Sequence, residues 1–383
     1  MRASLRSCVI LALLSACRIA DIHFVGPNGD DDANTGDGNG DGITDGPVVV
    51  GTAMKKAYLV DSQAGIYPLA KDPVTGRLTY NNLAPVLQPA ISTATDKSGT
   101  HLYTMDVGGA SQGTVHDFII NSDSTLTPVA GNVKNLQNCT PAYAAINPSG
   151  TVLAVGCNTN HVVTIQIGAN GTLGTVKISA QIGVAPAHPI FSKSGTCLFV
   201  ADDGGVGFNA NILAYQIDIA GNLSNNPVQV QTPSGPRGLA LDPSGMYLYV
   251  AGNGALTAYM VDEAQCSLIP MTAGGVQVGP SSQRAVIDPT GTYLFVTGTE
   301  IDAFKIGTGG SLGVVPGSPF LMAPAGQPIV GATMDPAVPG ILYLTPQSSN
   351  GAYLGLINAQ GAVTMGSQVS VSTTSSVWLQ LAP

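Results

Sequence analysis

The chain has 383 residues, of which 44% are hydrophobic and only 10% charged, and its 48 glycines and 26 prolines are spread along the whole length. That spread excludes collagen and a disordered chain, and the Val-, Ile-, Thr- and Tyr-rich runs between turns favour an all-β protein. No segment beyond residue 17 is long and apolar enough for a spanning helix, and a net charge of −9 with pI near 4.7 argues against a nucleic-acid partner.

In chain order, Arg2 and Arg6 precede a short apolar run, Val9 to Leu14, followed by Leu14-Ser15-Ala16-Cys17. This has the form of a signal peptide, and the last four residues resemble the bacterial lipobox. The resemblance implies a leader over 1–16, lipidation of Cys17, and a lipid-bilayer partner through that anchor. It places the protein in the bacterial cell envelope, and Arg18, where inner-membrane lipoproteins often carry Asp, points to the outer membrane.

Residues 17–47 form an acidic Gly/Asp/Asn-rich linker with little that could build a core. Within it Asp37, Asn39, Asp41, Ile43 and Asp45 alternate oxygen donors around a glycine turn, a pattern suited to calcium. The segment resembles one thrombospondin type 3 repeat and the first half of an EF-hand loop. Val48 stands where an EF-hand needs a bidentate Glu, so a plain solvated spacer is the competing reading.

From residue 48 to 383 the chain repeats itself. A turn opened by Asp, Asn or Ser and closed by Gly precedes each of several β runs: Asp96–Gly99, Asn147–Gly150, Ser192–Gly195, Asp242–Gly245, Asp288–Gly291 and Asp335–Gly340. Successive closing glycines are 51, 45, 50, 46 and 49 residues apart. Each unit carries four short strands, the period of a propeller blade. The second strand recurs seven times, at 58–60, 102–104, 153–155, 198–200, 248–250, 294–296 and 342–344. The first copy lacks an inner strand and the tail, Ser376–Leu381, is an orphan. The predicted architecture is therefore a seven-bladed β-propeller of four-stranded blades, its ring closed by the C-terminal strand pairing into the N-terminal blade. Trp378 is expected in the core between blades.

These D-P-S-G-x-Y-L-Y-V units resemble the seven-bladed lactonase-like (6-phosphogluconolactonase-like) and YVTN-repeat propellers over nearly all of 55–383. In such a ring the entries to the first strands and the loops between second and third strands share one face. Counting back four or five residues from each turn gathers Tyr143, His188, Arg237 and Arg284 at one channel mouth; the loops add Asp106, Asn158, Asp202, Asp203, Asn253 and Glu300. Such a mouth suits a small polar ligand or a protein segment.

The resemblance implies lactone hydrolysis, with Arg237 as an electrophilic clamp and His188 or Asp202 handling the proton. The family pattern is incomplete: Gly238 replaces the His of a Pro-Arg-His entry, and Asn253-Gly254 replaces an Asn-Glu loop. The primary reading is thus a membrane-tethered ligand- or protein-binding scaffold, with lactone hydrolase as the alternative; no cofactor is required, and calcium in the linker is the one candidate ion. His101, His116 and His161 fall at unrelated strand positions without metal-ligand spacing. Folding the hairpin at Asn147–Gly150 brings Cys139 within one residue of Cys157, which suits a disulfide, whereas Cys197 and Cys266 lie in different blades and are expected to pack singly.

Overall fold

The computed structural model describes residues 55–382 apart from 109–111, 180, 182, 205–209, 233–234, 272–274, 322–326 and 372–374. The leader, Cys17 and the calcium-type residues Asp37, Asn39, Asp41, Ile43 and Asp45 lie outside the described residues. The rest is a ring of seven antiparallel sheets, each built on four strands that are consecutive in the chain except in blade 1. Blade 1 holds Ser376–Ala382, Lys55–Asp61, Gly65–Lys71 and Leu78–Tyr80, from the axis outward. Blades 2 to 7 follow in chain order from the inner strands Ser92–Thr95, Pro141–Ile146, Pro186–Phe191, Pro236–Leu241, Arg284–Ile287 and Ile329–Met334. Among the described residues no helix is long and apolar enough to cross a membrane.

The repeat turn works as its residue types require. The Asp96 carboxylate accepts the backbone N–H groups of Thr100 and His101, at 2.8 and 2.7 Å. The Asn147 amide oxygen does the same for Thr151 and Val152, at 2.8 and 3.0 Å. The closing glycines Gly99, Gly150, Gly195, Gly245, Gly291 and Gly340 have φ between 69° and 81°, which side-chain-bearing residues seldom adopt. Second strands such as Val152–Cys157, Cys197–Asp202 and Ile341–Pro346 are buried at every position, because a neighbouring blade covers each face.

Outer strands are less regular than inner ones. In blade 4 the fourth strand is Val228–Gln231; the run at 221–226 contributes only an isolated bridge between Ile217 and Leu223. Asn225-Asn226-Pro227 favours a turn over a ladder there. In blades 2, 5 and 6 the outer edge is in two pieces, the second being Lys134–Asn135, Val276–Gln277 and Phe320–Leu321 on the upper half of the third strand.

A latch joins every blade to the hairpin between third and fourth strands of the next. In four junctions a tyrosine at the same second-strand position donates its hydroxyl to a carbonyl: Tyr58 to Ser124 (3.2 Å), Tyr103 to Gly171 (2.5 Å), Tyr249 to Gly310 (3.1 Å) and Tyr343 to Gly76 (2.6 Å). Thr164 serves Gly221 (2.6 Å) and Tyr293 serves Ala359 (2.8 Å). The remaining junction, blade 4 to blade 5, is covalent: Cys197 is bonded to Cys266. This corrects the expectation of two lone thiols. Position 197 faces the next blade and Cys266 lies in the hairpin that the latch position reaches, a relation across blades that a reading one blade at a time does not contain. Cys139 is bonded to Cys157 within blade 3.

Blade 1 is closed by antiparallel pairing from Lys56↔Ala382 to Asp61↔Ser376, with an irregularity beside Asp61. The buried pair Lys71–Asp335 (2.5 Å) ties blades 1 and 7 beneath it, and the Tyr343 hydroxyl lies 3.0 Å from the same carboxylate. Burial opposes the charged Asp335, yet the bond from Lys71 and the Ala337 N–H hold its pKa below the usual range.

Two outcomes follow. Deleting residues 376–383 bares the edge of Lys55–Asp61 and is expected to abolish the single cooperative melting transition in calorimetry; an unchanged transition contradicts closure as a stabilising element. In the loop-entropy account, the disulfide with 69-residue separation contributes on the order of 4 kcal/mol and the one with 18-residue separation about 3. Replacing Cys197 and Cys266 by Ser should therefore lower urea stability more than the same change at Cys139 and Cys157.

Candidate functional site

The inner strands of blades 1, 3, 4, 5 and 7 enter the ring through register irregularities. In blade 4 Pro186 pairs with Asp202 and His188 with Ala201, so Ala187 is skipped; in blade 5 Arg237 is skipped between Pro236 and Gly238. A bulge re-aims the side chains around it. One residue further in, the seven blades present equivalent positions: Trp378 opposite Val60, Ser92 opposite Met105, Tyr143 just before the Ala144–Val155 pair, His188, Gly238, Arg284 opposite Thr297, and Gly331 opposite Thr345. The two glycines answer to packing. A Cβ on Gly238 would stand 2.5 Å from the Ala285 nitrogen, and one on Gly331 would stand 2.1 Å from Thr345 Oγ1.

From this layer Arg284 reaches across the axis. It is 6% exposed, and its Nε donates to the carbonyl of Val330 at 2.9 Å. Its Cζ lies 3.6 Å from the Tyr143 ring centroid and 5.1 Å from that of Trp378, so the cation rests on aromatic faces. His188 stacks on Tyr143 with centroids 3.9 Å apart, and Arg284 Nη1 donates to His188 Nε2. Arg284 Nη2 is buried and has no protein partner.

Electrostatics agree with this geometry. Burial first, then Arg284 and Arg237, hold the His188 pKa well below its ordinary value. The ring is therefore neutral at neutral pH, as a nitrogen accepting from a guanidinium must be. Burial also pulls the Arg284 pKa down, against the influence of the Tyr143 hydroxyl. The layer is thus positive and largely desolvated, and the terminal Nη2 amino group of Arg284 has no protein partner in it.

The structure brings Tyr143, His188 and Arg284 together, with Arg237 close enough to act on His188, and adds Trp378. The sequence pattern missed Trp378 because the tail strand has no following turn from which to count back. Trp378 packs against the core between blades 1 and 2 as expected, and its ring in addition approaches Arg284 and Tyr143.

Asp202 does something other than the proton handling its position suggested. It is 1% exposed, and its carboxylate accepts the N–H groups of Val184 (3.1 Å), Ala185 (2.9 Å) and Gly204 (3.3 Å). Asp61 holds the equivalent loop of blade 1 through Gln63, Ala64 and Ser375. These carboxylates are loop clamps, because an acid at the end of a second strand lies against the backbone of the adjoining entry. Asn158 and Asn253 are exposed. Asn253 and Asp203 both border Gly235, where an added Cβ would be 3.4 Å from both Asn253 Nδ2 and the Asp203 carbonyl oxygen. Glu300 pairs through its backbone with Leu321 at the outer edge, and Asp106 binds the Gly108 N–H at 3.1 Å. Among the described residues no group of three or more His, Cys, Asp or Glu could hold a metal ion.

This architecture and mouth define a closed seven-bladed ring with a cationic centre. The family model described as "Lactonase, 7-bladed beta-propeller" matches residues 47–273, more than half of the sequence, and the chain belongs to that family. No curated protein matches the sequence. Among solved structures, the chain is similar to the periplasmic gluconolactonase of Pseudomonas aeruginosa, with TM-score 0.71 and 17% identity over 86% of this chain and 99% of that one. It is equally similar to a candidate 6-phosphogluconolactonase from Bacteroides fragilis, with TM-score 0.71 and 17% identity over 87% and 99%. A protein from Lactobacillus plantarum gives 0.70 and 18% over 86% and 100%. At these identities the likeness establishes the fold.

His188 also makes stability depend on pH. A histidine whose folded pKa is depressed binds its proton more readily when unfolded, so its contribution is present above about pH 6.5 and is lost as pH falls. Between pH 7 and 5 the stability of wild-type protein should fall more steeply than that of His188→Gln, measured by urea denaturation at each pH.

Proposed function

We propose that the protein is a lactone hydrolase whose reacting centre is the Arg284–His188–Tyr143 layer. The observation that carries this reading is the buried guanidinium with an unpartnered Nη2. In a dry site such a donor stabilises the oxygen of a lactone carbonyl as it becomes an oxyanion. This role falls to Arg284 instead of the bulge residue Arg237. As water attacks the carbonyl carbon, the Arg284 N–H groups turn toward the oxyanion and release His188 Nε2. The imidazole then takes the water proton and returns it to the ring oxygen as the C–O bond breaks, leaving a hydroxy acid. A base held at low pKa is weak, which suits a strained, activated lactone better than an ordinary ester.

Family membership and the structural likeness to a periplasmic gluconolactonase support this assignment. Export to an oxidising compartment is part of the proposal and is supported by the two disulfides. A mouth that binds without turnover is favoured by one observation: Asp202 is committed to backbone amides and supplies no free acid.

The test is a pH-stat assay of the full chain on hexono-δ-lactones with and without a phosphate group. Turnover should appear, and Arg284→Ala should lower kcat/KM by about 10²–10³-fold, with Arg284→Lys in between. Binding of the same lactones without turnover would replace the hydrolase by the binding reading.

A further inference from the structure

A second site lies off the axis, on the same face as the mouth. The loop entering blade 2 supplies Gln88, the end of its second strand Asp106, and the start of its third strand Thr114 and His116. Together with Gln112 and Asn135 they line an open cavity of about 540 Å³. His116 stands two strands out from the inner strand of its own blade, roughly 10 Å from it.

The cavity is internally ordered. His116 Nε2 is 2.9 Å from both Gln88 Nε2 and Thr114 Oγ1, and Gln88 Nε2 is 3.4 Å from Asp106 Oδ2. The Gln88 amide is a donor toward His116, so Nε2 accepts and the ring is neutral with its proton on Nδ1. Burial lowers the His116 pKa in agreement, although Asp106 opposes it. Asn135 Nδ2 donates to Gln112 Oε1 at 3.4 Å, which fixes the far wall.

We propose that this cavity is a binding site for a neutral, hydroxyl-rich small molecule, a monosaccharide or polyol. Three carboxamides, a hydroxyl, a neutral imidazole and one carboxylate present donors and acceptors side by side, as adjacent hydroxyl groups require, since each is both donor and acceptor. Asp106 is the sole formal charge among these groups and disfavours an anion, the opposite preference from the Arg284 layer. The volume is that of a small-molecule pocket. The site is independent of the lactonase reading: it shares no residue with the Arg284 layer.

Methyl glucoside, methyl galactoside and sorbitol, each at millimolar concentration, are the probes for saturation-transfer NMR on the full chain. At least one should bind, with Asp106→Asn and Gln88→Ala each weakening it about tenfold, the equivalent of one good hydrogen bond to a charged or buried group, and Arg284→Ala leaving it unchanged. In wild-type protein the same ligand should shift the His116 imidazole ¹H–¹⁵N signal, a readout that needs no variant to fold. Binding of none of the three, binding abolished by Arg284→Ala alone, or preference for gluconate over the neutral probes would each overturn the assignment.

Discussion

The antiparallel pairing of Ser376–Ala382 with Lys55–Asp61 is the constraint on which the rest of the structure depends. An open stack of blades has two terminal sheets with bare faces and lets its neighbours splay. A closed ring gives every blade two neighbours and fixes the radius at which the inner strands meet. Only at that radius does Arg284, from blade 6, reach rings supplied by blades 3, 4 and 1. The mouth is therefore a property of closure, and its aromatic member Trp378 is carried by the closing strand itself.

The two faces of the ring divide the work. On one, the latches from Tyr58, Tyr103, Thr164, Cys197, Tyr249, Tyr293 and Tyr343 each satisfy or bond a group in the next hairpin, so blade-to-blade register is held in every sector. On the other, the same structural positions diverge in chemistry. Acids at strand ends clamp loops in blades 1 and 4, while Asp106 in blade 2 borders a cavity. Glycines in blades 5 and 7 allow close packing at the inner strands, because a Cβ there would collide with adjacent backbone or with Thr345. A repeat thus tolerates functional variation on the face where it is not needed for cohesion.

The blade count, the turn chemistry and the candidate arginine and histidine were legible because they recur at fixed offsets from a turn that local physics dictates. His188, Tyr143 and Arg284 could be gathered by counting. Trp378 could not, since its strand ends the chain with no turn behind it. The Cys197–Cys266 bond was hidden for a related reason: the partners belong to different repeats, and within a single repeat nothing marks position 197 as facing the neighbouring hairpin. Asp202 shared the address of a catalytic acid, but its lone pairs were already committed to the amides of Val184, Ala185 and Gly204.

The amino-acid order alone determined the all-β ring, its seven sectors and the closing role of the tail, because alternation, turn residues and period are local properties repeated often enough to be counted. The tertiary structure decided which side chains meet across the axis, which acids are committed to backbone, which cysteines bond and where a cavity opens off the axis. Those depend on distances between segments far apart in the chain, and such distances exist only once the ring is closed.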